Sequence, residues 1–132
     1  MVSTSGVTNT AILDGFTVED GRADGTTPNS NAGGMLIDNS SPTIKNTLFQ
    51  NNFSTTFGGA VYALSSISSS ITPVFIDCDF NNNSSNAGGA VFTRAQGSSS
   101  TNNSIFINCA FSSNQAAIAS GGALFVSGGA GN

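Results

Sequence analysis

The sequence lacks histidine and tryptophan altogether and is poor in charge. Histidine is the commonest general base at neutral pH and the commonest nitrogen ligand of zinc, so its absence excludes most hydrolase and zinc-enzyme chemistry. Three residues are Lys or Arg and seven are Asp or Glu, which gives a net charge of −4. Because no basic patch can neutralise phosphates, we expect no nucleic-acid partner.

Long apolar runs are missing too. No stretch approaches the roughly 20 residues that a membrane-spanning helix needs, so we expect no membrane span. Gly, Ser, Asn and Thr interrupt every segment long enough for a helix, which disfavours helix throughout. The first residues also lack the basic and apolar regions of a secretion signal, so we expect either a mature chain or a fragment of a longer protein.

What the sequence does contain is a repeat. A phenylalanine followed three residues later by asparagine occurs three times, always 31 residues apart. The pairs are Phe49 and Asn52, Phe80 and Asn83, and Phe111 and Asn114. Counting back another 31 residues reaches Val18 and Gly21, a fainter fourth copy. An interval of this size is typical of a solenoid, in which each unit buries its apolar face against its neighbours.

A second signature, two glycines followed by apolar residues, accompanies each copy. It occurs at 33–36, 58–61, 88–91 and 121–124. The Ser-, Thr-, Asn- and Gly-rich composition resembles that of disordered segments, but a disordered chain has no reason to keep two signatures in phase over several copies. We therefore expect an ordered chain.

Short strands bounded by Asn and Gly turns fit each repeat best. They predict an all-β fold, a parallel β-helix (β-solenoid) of about four coils of roughly 31 residues, with no helical cap. Residues 1–132 form a single domain in this prediction. Its coils cover about 11–39, 40–70, 71–102 and 103–132.

Equal positions of successive coils stand above one another in such a solenoid, about 4.8 Å apart. The repeat therefore predicts four inward columns and a ladder of stacked asparagine amides at a turn. The columns are Val18/Phe49/Phe80/Phe111, Leu13/Ile44/Phe75/Phe106, Phe16/Thr47/Cys78/Cys109 and Leu36/Val61/Val91/Leu124. The glycine pairs are expected at a corner that requires positive φ or a close approach of two coils.

The paired motifs resemble those of right-handed, pectin-lyase-like parallel β-helix surface proteins. In that class Gly-Gly-Ala-(Ile/Leu/Val) alternates with Phe-x-x-Asn, as in polymorphic outer-membrane protein passengers, and here the motifs read Gly58-Gly59-Ala60-Val61 with Phe49-Gln50-Asn51-Asn52. The segment 13–21 resembles the first-coil version of such repeats. The resemblance implies a right-handed coil and an extracellular or cell-surface location. The class includes adhesins and cell-wall and matrix proteins.

Two small clusters invite a functional interpretation. Four acids lie in eleven residues of the first coil, and calcium prefers oxygen ligands on flexible turns, so calcium is the one cofactor left open. These acids are Asp14, Glu19, Asp20 and Asp24. A solvated acidic turn is the simpler interpretation, because the full spacing of a calcium loop is absent. We therefore assign no metal-binding or cofactor-binding residue.

Cys78 and Cys109 lie one repeat apart, within reach of a disulfide. Stacked side chains point in parallel, which is poor geometry for that bond and favours buried free thiols over a bridge. Asp77 and Asp79 lie near Lys45 by register, but strand alternation explains them more simply than glycosidase or lyase chemistry. We therefore assign no catalytic residue and expect no enzyme.

A β-helix without caps exposes unpaired strand edges at both ends, and such edges recruit other chains. The sequence thus favours an extracellular structural protein that self-associates end to end into a filament or forms a segment of a surface fibre. The alternative is an adhesin or carbohydrate-binding module with a glycan or cell-surface partner. It would use the Ser/Thr/Asn-rich loops 26–31, 65–72 and 95–104, with Phe53, Phe57 and Tyr62 as aromatic platforms.

Overall fold

A computed structural model describes residues 2–27, 29–66, 68–119 and 121–128. Within these residues the chain forms nineteen short strands and no helix. The strands are β1 (Val2–Ser5), β2 (Ile12–Asp14), β3 (Thr17–Glu19), β4 (Arg22–Ala23), β5 (Met35–Asp38), β6 (Thr43–Lys45), β7 (Leu48–Gln50), β8 (Phe53–Ser54), β9 (Val61–Ser65), β10 (Ser70–Ile71), β11 (Val74–Ile76), β12 (Asp79–Asn81), β13 (Ser84–Ser85), β14 (Val91–Ala95), β15 (Thr101–Asn102), β16 (Ile105–Ile107), β17 (Ala110–Ser112), β18 (Gln115–Ala116) and β19 (Leu124–Ser127).

Every strand pairs in parallel with the equivalent strand of a neighbouring coil. Four sheets therefore run along the solenoid, in the orders β2-β6-β11-β16, β3-β7-β12-β17, β4-β8-β13-β18 and β1-β5-β9-β14-β19, and β10 pairs with β15. The predicted parallel β-solenoid of about four coils, with equivalent positions about 31 residues apart, is confirmed. Strand β1, which no motif in the sequence marks, pairs beneath β5 and lies before the first predicted coil.

The phenylalanines of successive coils stack in one column inside the solenoid. The Phe49 and Phe80 ring centroids lie 5.0 Å apart with planes 3° from parallel, and those of Phe80 and Phe111 lie 4.7 Å apart at 5°. Val18 pairs with Phe49 and continues the column. A parallel neighbouring column brings Phe75 and Phe106 to 4.9 Å. Both predicted columns are confirmed, and they form the centre of the core.

The third predicted column is confirmed only in part. Thr47 and Cys78 are buried, and Cys109 packs against the core. Phe16, at the bottom of the same column, is 57% exposed. The ring of Phe16 is therefore not buried as predicted, because among the described residues no coil lies beneath it to close the interior around it.

The fourth predicted column is wrong by one residue in its first member. Met35, not Leu36, pairs with Val61, and Val91 and Leu124 follow above. Ala32 takes the positive φ (58°) that Gly58 and its equivalents have in the later copies. The motif of the first coil is thus Ala-Gly-Gly, shifted by one position against the others.

The glycine corner combines both predicted constraints. The first glycine of each later pair has a positive φ, 61° at Gly58 and 63° at Gly88. The second allows two coils to approach closely: a Cβ at Gly59 would lie 2.2 Å from the carbonyl oxygen of Gly89. The ladder asparagines themselves do not have positive φ. That conformation belongs to the residue before each of them, Asn51 (55°) or Asn82 (54°).

Substituting Gly89 by alanine tests the close approach. A Cβ at Gly89 would lie 2.1 Å from the oxygen of Gly122, so we expect Gly89→Ala to lower the free energy of unfolding by about 1–3 kcal/mol or more. Gly122→Ala is the control, since its Cβ meets only the oxygen of Asn114 at 3.4 Å. Urea unfolding should show Gly122→Ala unchanged or stabilised by up to about 1 kcal/mol. Equal losses in both variants would contradict this account.

A second apolar cluster lies on the opposite face of the β5-β9-β14-β19 sheet. Tyr62 and Phe92 alternate with the inward valines, yet each is only 4% exposed. Phe57 folds over them, with its ring centroid 5.7 Å from Tyr62 and 4.6 Å from Phe92. Phe125 stacks on Phe92 at 4.9 Å. The coil is therefore apolar on both faces of this one sheet.

Candidate functional site

The asparagine ladder runs through the interior beside the phenylalanine file. Asn52 and Asn83 are fully buried, and the Asn52 Nδ2 donates to the Asn83 Oδ1 at 3.0 Å. The Asn83 Nδ2 donates in the same way to the Asn114 Oδ1 at 3.0 Å. The predicted ladder is confirmed, and each rung also bonds to the backbone of the coil before it.

Every rung has the same direction. The oxygen of Asn83 accepts both the backbone N–H and the Nδ2 of Asn52. The Nδ2 of Asn83 donates to the Asn114 Oδ1 and to the backbone oxygen of Phe49. All the side-chain amide hydrogens and the oxygen of Asn83 are thus used. The bonds between side-chain amides all run from the Nδ2 of one asparagine to the Oδ1 of the asparagine in the next, C-terminal coil.

The interior opens at the C-terminal end of the solenoid. A cleft of about 390 Å³ lies inside the last coil, lined among others by Thr93, Phe106, Leu124 and Val126. Val126 continues the inward position of Thr93 but is 68% exposed, because no described coil covers it. The upper edges of β16, β17 and β19 pair with no strand in the described part of the chain. Within the described residues, this end is therefore a largely apolar face bordered by backbone groups that pair with no further strand.

The N-terminal end differs in chemistry. Its opening is a smaller cleft of about 150 Å³, lined by residues that include Val2, Leu13 and Met35. Its coil carries five acidic residues and one arginine, whereas no charged residue follows Arg94 in the sequence. The two ends of the solenoid are therefore unlike.

Two segments match the Chlamydia polymorphic membrane protein repeat. They are residues 46–64 and 77–94. Each segment begins just before a Phe-x-x-Asn pair and ends after the Gly-Gly-Ala-Val run, so it spans one rung of the ladder and one glycine corner. The predicted resemblance is confirmed. Searches among curated proteins and among solved structures found no match.

The polymorphic membrane protein repeat indicates a protein of the cell surface or outer membrane that contains a β-helix. The regular spacing of the repeat has a structural explanation in this chain, since its phenylalanines and asparagines form adjacent internal columns. Among the described residues, no helix is long and apolar enough to cross a membrane.

Three of the four acids of the first coil, Asp14, Glu19 and Asp24, bond to separate partners rather than to a common centre. The Asn46 Nδ2 donates to Asp14 at 2.8 Å, the Gln50 Nε2 donates to Glu19 at 2.5 Å, and Arg22 bridges to Asp24 at 2.6 Å. The described residues hold no group of three His, Cys, Asp or Glu side chains placed to bind a metal. Calcium binding stays a prediction that a melting titration would test.

The predicted acidic pair does not assemble an acid–base site. Asp77 and Asp79 are both exposed, and Asp77 accepts a hydrogen bond from the Asn108 Nδ2 at 2.5 Å. Lys45 pairs in register with Ile76, as expected, but the one salt bridge within the described ranges is between Arg22 and Asp24. The arrangement therefore brings no basic group against these carboxylates.

The two cysteines are free thiols in the structure. The Cys78 Sγ donates to the backbone oxygen of Ile76 at 3.3 Å, and the Cys109 Sγ donates to that of Ile107 at 3.4 Å. Cys78 is fully buried, and this burial raises the pKa of its thiol to about 11. Cys109, in the uncovered last coil, is half-buried.

Alkylation should distinguish the two thiols. In the folded chain at pH 8 we expect iodoacetamide to modify Cys109 and to leave Cys78 unmodified until the chain unfolds, because the Cys78 thiolate is both inaccessible and scarce. Since the folded chain binds this proton more tightly than the unfolded chain, stability should fall between the unfolded pKa of about 9 and about pH 11. Peptide mass mapping and pH-dependent urea unfolding measure both effects. Equal labelling of both cysteines would contradict the burial of Cys78.

The aromatic platforms predicted for glycan binding are largely occupied. Tyr62 is buried beneath Phe57, so its role as an exposed platform is wrong. The guanidinium of Arg22 covers the ring of Phe53 at 4.7 Å. Of the predicted loops, 65–72 and 95–104 contribute the paired strands β10 and β15. Pro28 in the loop 26–31 and Ile67 lie outside the described residues.

Proposed function

We propose that this chain is a non-enzymatic structural segment of an extracellular surface fibre, in which a further coil covers the open C-terminal end of its solenoid. The observation that carries the proposal is the open C-terminal coil, where Leu124 and Val126 are exposed and the upper strand edges pair with no strand of the described residues. Unpaired edges of this kind are normally covered or blocked by charge. The match to a repeat of surface membrane proteins supports the same role.

Adding one coil to this end tests the proposal. In a second copy of residues 69–95 appended after Asn132, the copied Val74 lies as many residues after Leu124 as Ile105 lies after Val91. The copied strands are therefore placed one coil beyond β16 to β19. A coil that folds there buries new surface, so the denaturant slope m and the unfolding midpoint should both rise. A scrambled extension of the same composition is the control. If the native extension changes neither quantity, the fibre-segment function is refuted.

End-to-end assembly of identical chains into a filament is the other form of the same proposal. It predicts that small-angle scattering will show particles that lengthen with concentration at constant cross-section. Val126→Lys places a charge in the open C-terminal face, whereas Ile118→Lys adds the same charge at a side chain that is 79% exposed. The filament form requires the first variant to block lengthening and the second to leave it intact. A concentration-independent monomer rules out the filament form alone.

Glycan binding by the variable loops is the second candidate. It is supported by the polar loop residues Asn102, Asn103 and Ser104 beside the C-terminal cleft. A glycan array should then show binding that is lost when the loop 95–104 is shortened. Absence of binding across the array would rule this candidate out.

A further inference from the structure

We propose that the solenoid stacks in one direction only: its C-terminal face accepts a parallel coil that carries asparagine at the ladder position, and its N-terminal face is closed to such a coil. The inference rests on the proposed function and specifies its partner chemically. The partner is a β-coil of Phe-x-x-Asn type presented by a neighbouring solenoid segment.

Asn114 carries the specificity of the C-terminal face. Its oxygen already accepts the N–H and the Nδ2 of Asn83, and one of its amide hydrogens bonds to the oxygen of Phe80 at 2.9 Å. Within the described residues, its backbone N–H and its second amide hydrogen have no acceptor. In the coils below, those same two donors of Asn83 and of Asn52 converge on one side-chain oxygen of the next coil. The next coil must therefore supply such an oxygen.

The ladder cannot be extended at the opposite end. Position 21 is the rung below Asn52, and the Gly21 N–H donates to the Asn52 Oδ1 at 3.0 Å. Gly21 has no side-chain oxygen to accept from a coil stacked beneath it. Nor can a side chain be placed there without rearrangement, since a Cβ at Gly21 would lie 2.0 Å from the oxygen of Gly33. The asparagine ladder therefore ends at Gly21, whereas at Asn114 it still has donors that a further coil could bind.

The distribution of charge also disfavours stacking at the N-terminal face and not at the C-terminal face. The first coil carries Asp14, Glu19, Asp20 and Asp24, all exposed, and charged side chains at an edge are a common device against unwanted pairing. The last coil has no charge at all. A second copy placed head to tail would bring Gly21 above Asn114, and Gly21 has no side-chain oxygen to accept the two remaining hydrogens of Asn114. A second copy placed face to face at the C-terminal ends offers only an Asn114 oxygen that already accepts two hydrogen bonds.

Extensions of the full chain at either end test this polarity. At the C-terminal end, the appended copy of residues 69–95 carries a second Asn83, and its Asn83→Ala form removes the acceptor. Asn82→Gly in the same added copy is the matched control, because that residue has positive φ and is exposed. At the N-terminal end, residues 70–90 are joined directly to Val2, which occupies the strand position of Val91.

Two measurements decide the outcome. Hydrogen exchange of the Asn114 backbone N–H should slow by about tenfold or more in the C-terminal extension and in its Asn82→Gly form, but not in its Asn83→Ala form. The N-terminal extension should leave the denaturant slope m unchanged. Equal protection with alanine, or an equal rise in m at both ends, would overturn the inference while leaving the fibre-segment function intact. Failure of every extension to fold would overturn both. Sedimentation of the unextended chain as a dimer would also overturn it.

Discussion

Replacing Phe80 by alanine should lower the free energy of unfolding by about 3–5 kcal/mol, one of the two largest losses expected from a single substitution here. Phe80 is fully buried and stacks on Phe49 below and Phe111 above. It also meets Phe75 edge-on at 5.9 Å and Phe106 at 6.3 Å. The substitution therefore interrupts two columns at once and leaves a cavity that rigid neighbouring coils cannot fill.

Phe16→Ala is the control for this prediction. The same side chain is removed from a site that is 57% exposed, so the loss should stay below about 1 kcal/mol. Urea unfolding followed by circular dichroism measures both variants on one scale. Similar losses at the two positions would mean that the stacked file does not dominate the stability of the solenoid.

Asn83→Ala should cost about 3–5 kcal/mol, because several buried groups lose their partners together. The N–H and Nδ2 of Asn52 lose their acceptor, and the backbone oxygen of Phe49 loses a donor. Each unsatisfied buried group costs about 1–3 kcal/mol, and the neighbours cannot turn toward water from inside the coil.

Asn82→Gly separates this effect from a general sensitivity of the turn. Asn82 has a φ of 54° that glycine adopts freely, and its side chain makes an exposed bond to the Asn51 Oδ1 at 2.8 Å. We expect a change within about 1 kcal/mol in urea unfolding. A loss as large as that of Asn83→Ala would show that the turn, rather than the buried ladder, sets the cost.

The fold could be predicted from sequence because parallel pairing places like residues on like. The fixed 31-residue interval between Phe49, Phe80 and Phe111 is the register of the central sheets, and it correctly predicted both phenylalanine columns and the ladder. At these positions, residues that are 31 apart in the sequence are also the residues that pair between adjacent coils. The predicted register held wherever the interval was constant.

It failed where the interval varies. The loops before the glycine corner differ in length, so counting could not decide whether Met35 or Leu36 continues the column of Val61. Tyr62 alternates with the inward valines and so lies on the outer face, where the aromatic-platform prediction needs it, but the alternation of strand residues cannot detect that Phe57 folds back over it. The absence of a coil beneath Phe16 is likewise a property of position in the stack, which no local pattern encodes.

Because the first coil is acidic and the last coil has no charged side chain, negative charge is concentrated at one end of the solenoid axis. Near a surface rich in anionic headgroups or acidic sugars, repulsion acts on one end only and produces a torque. The solenoid would then be oriented with its acidic first coil facing away from that surface. Ions screen this torque beyond about 8 Å at physiological ionic strength, so the orientation is imposed only at close range.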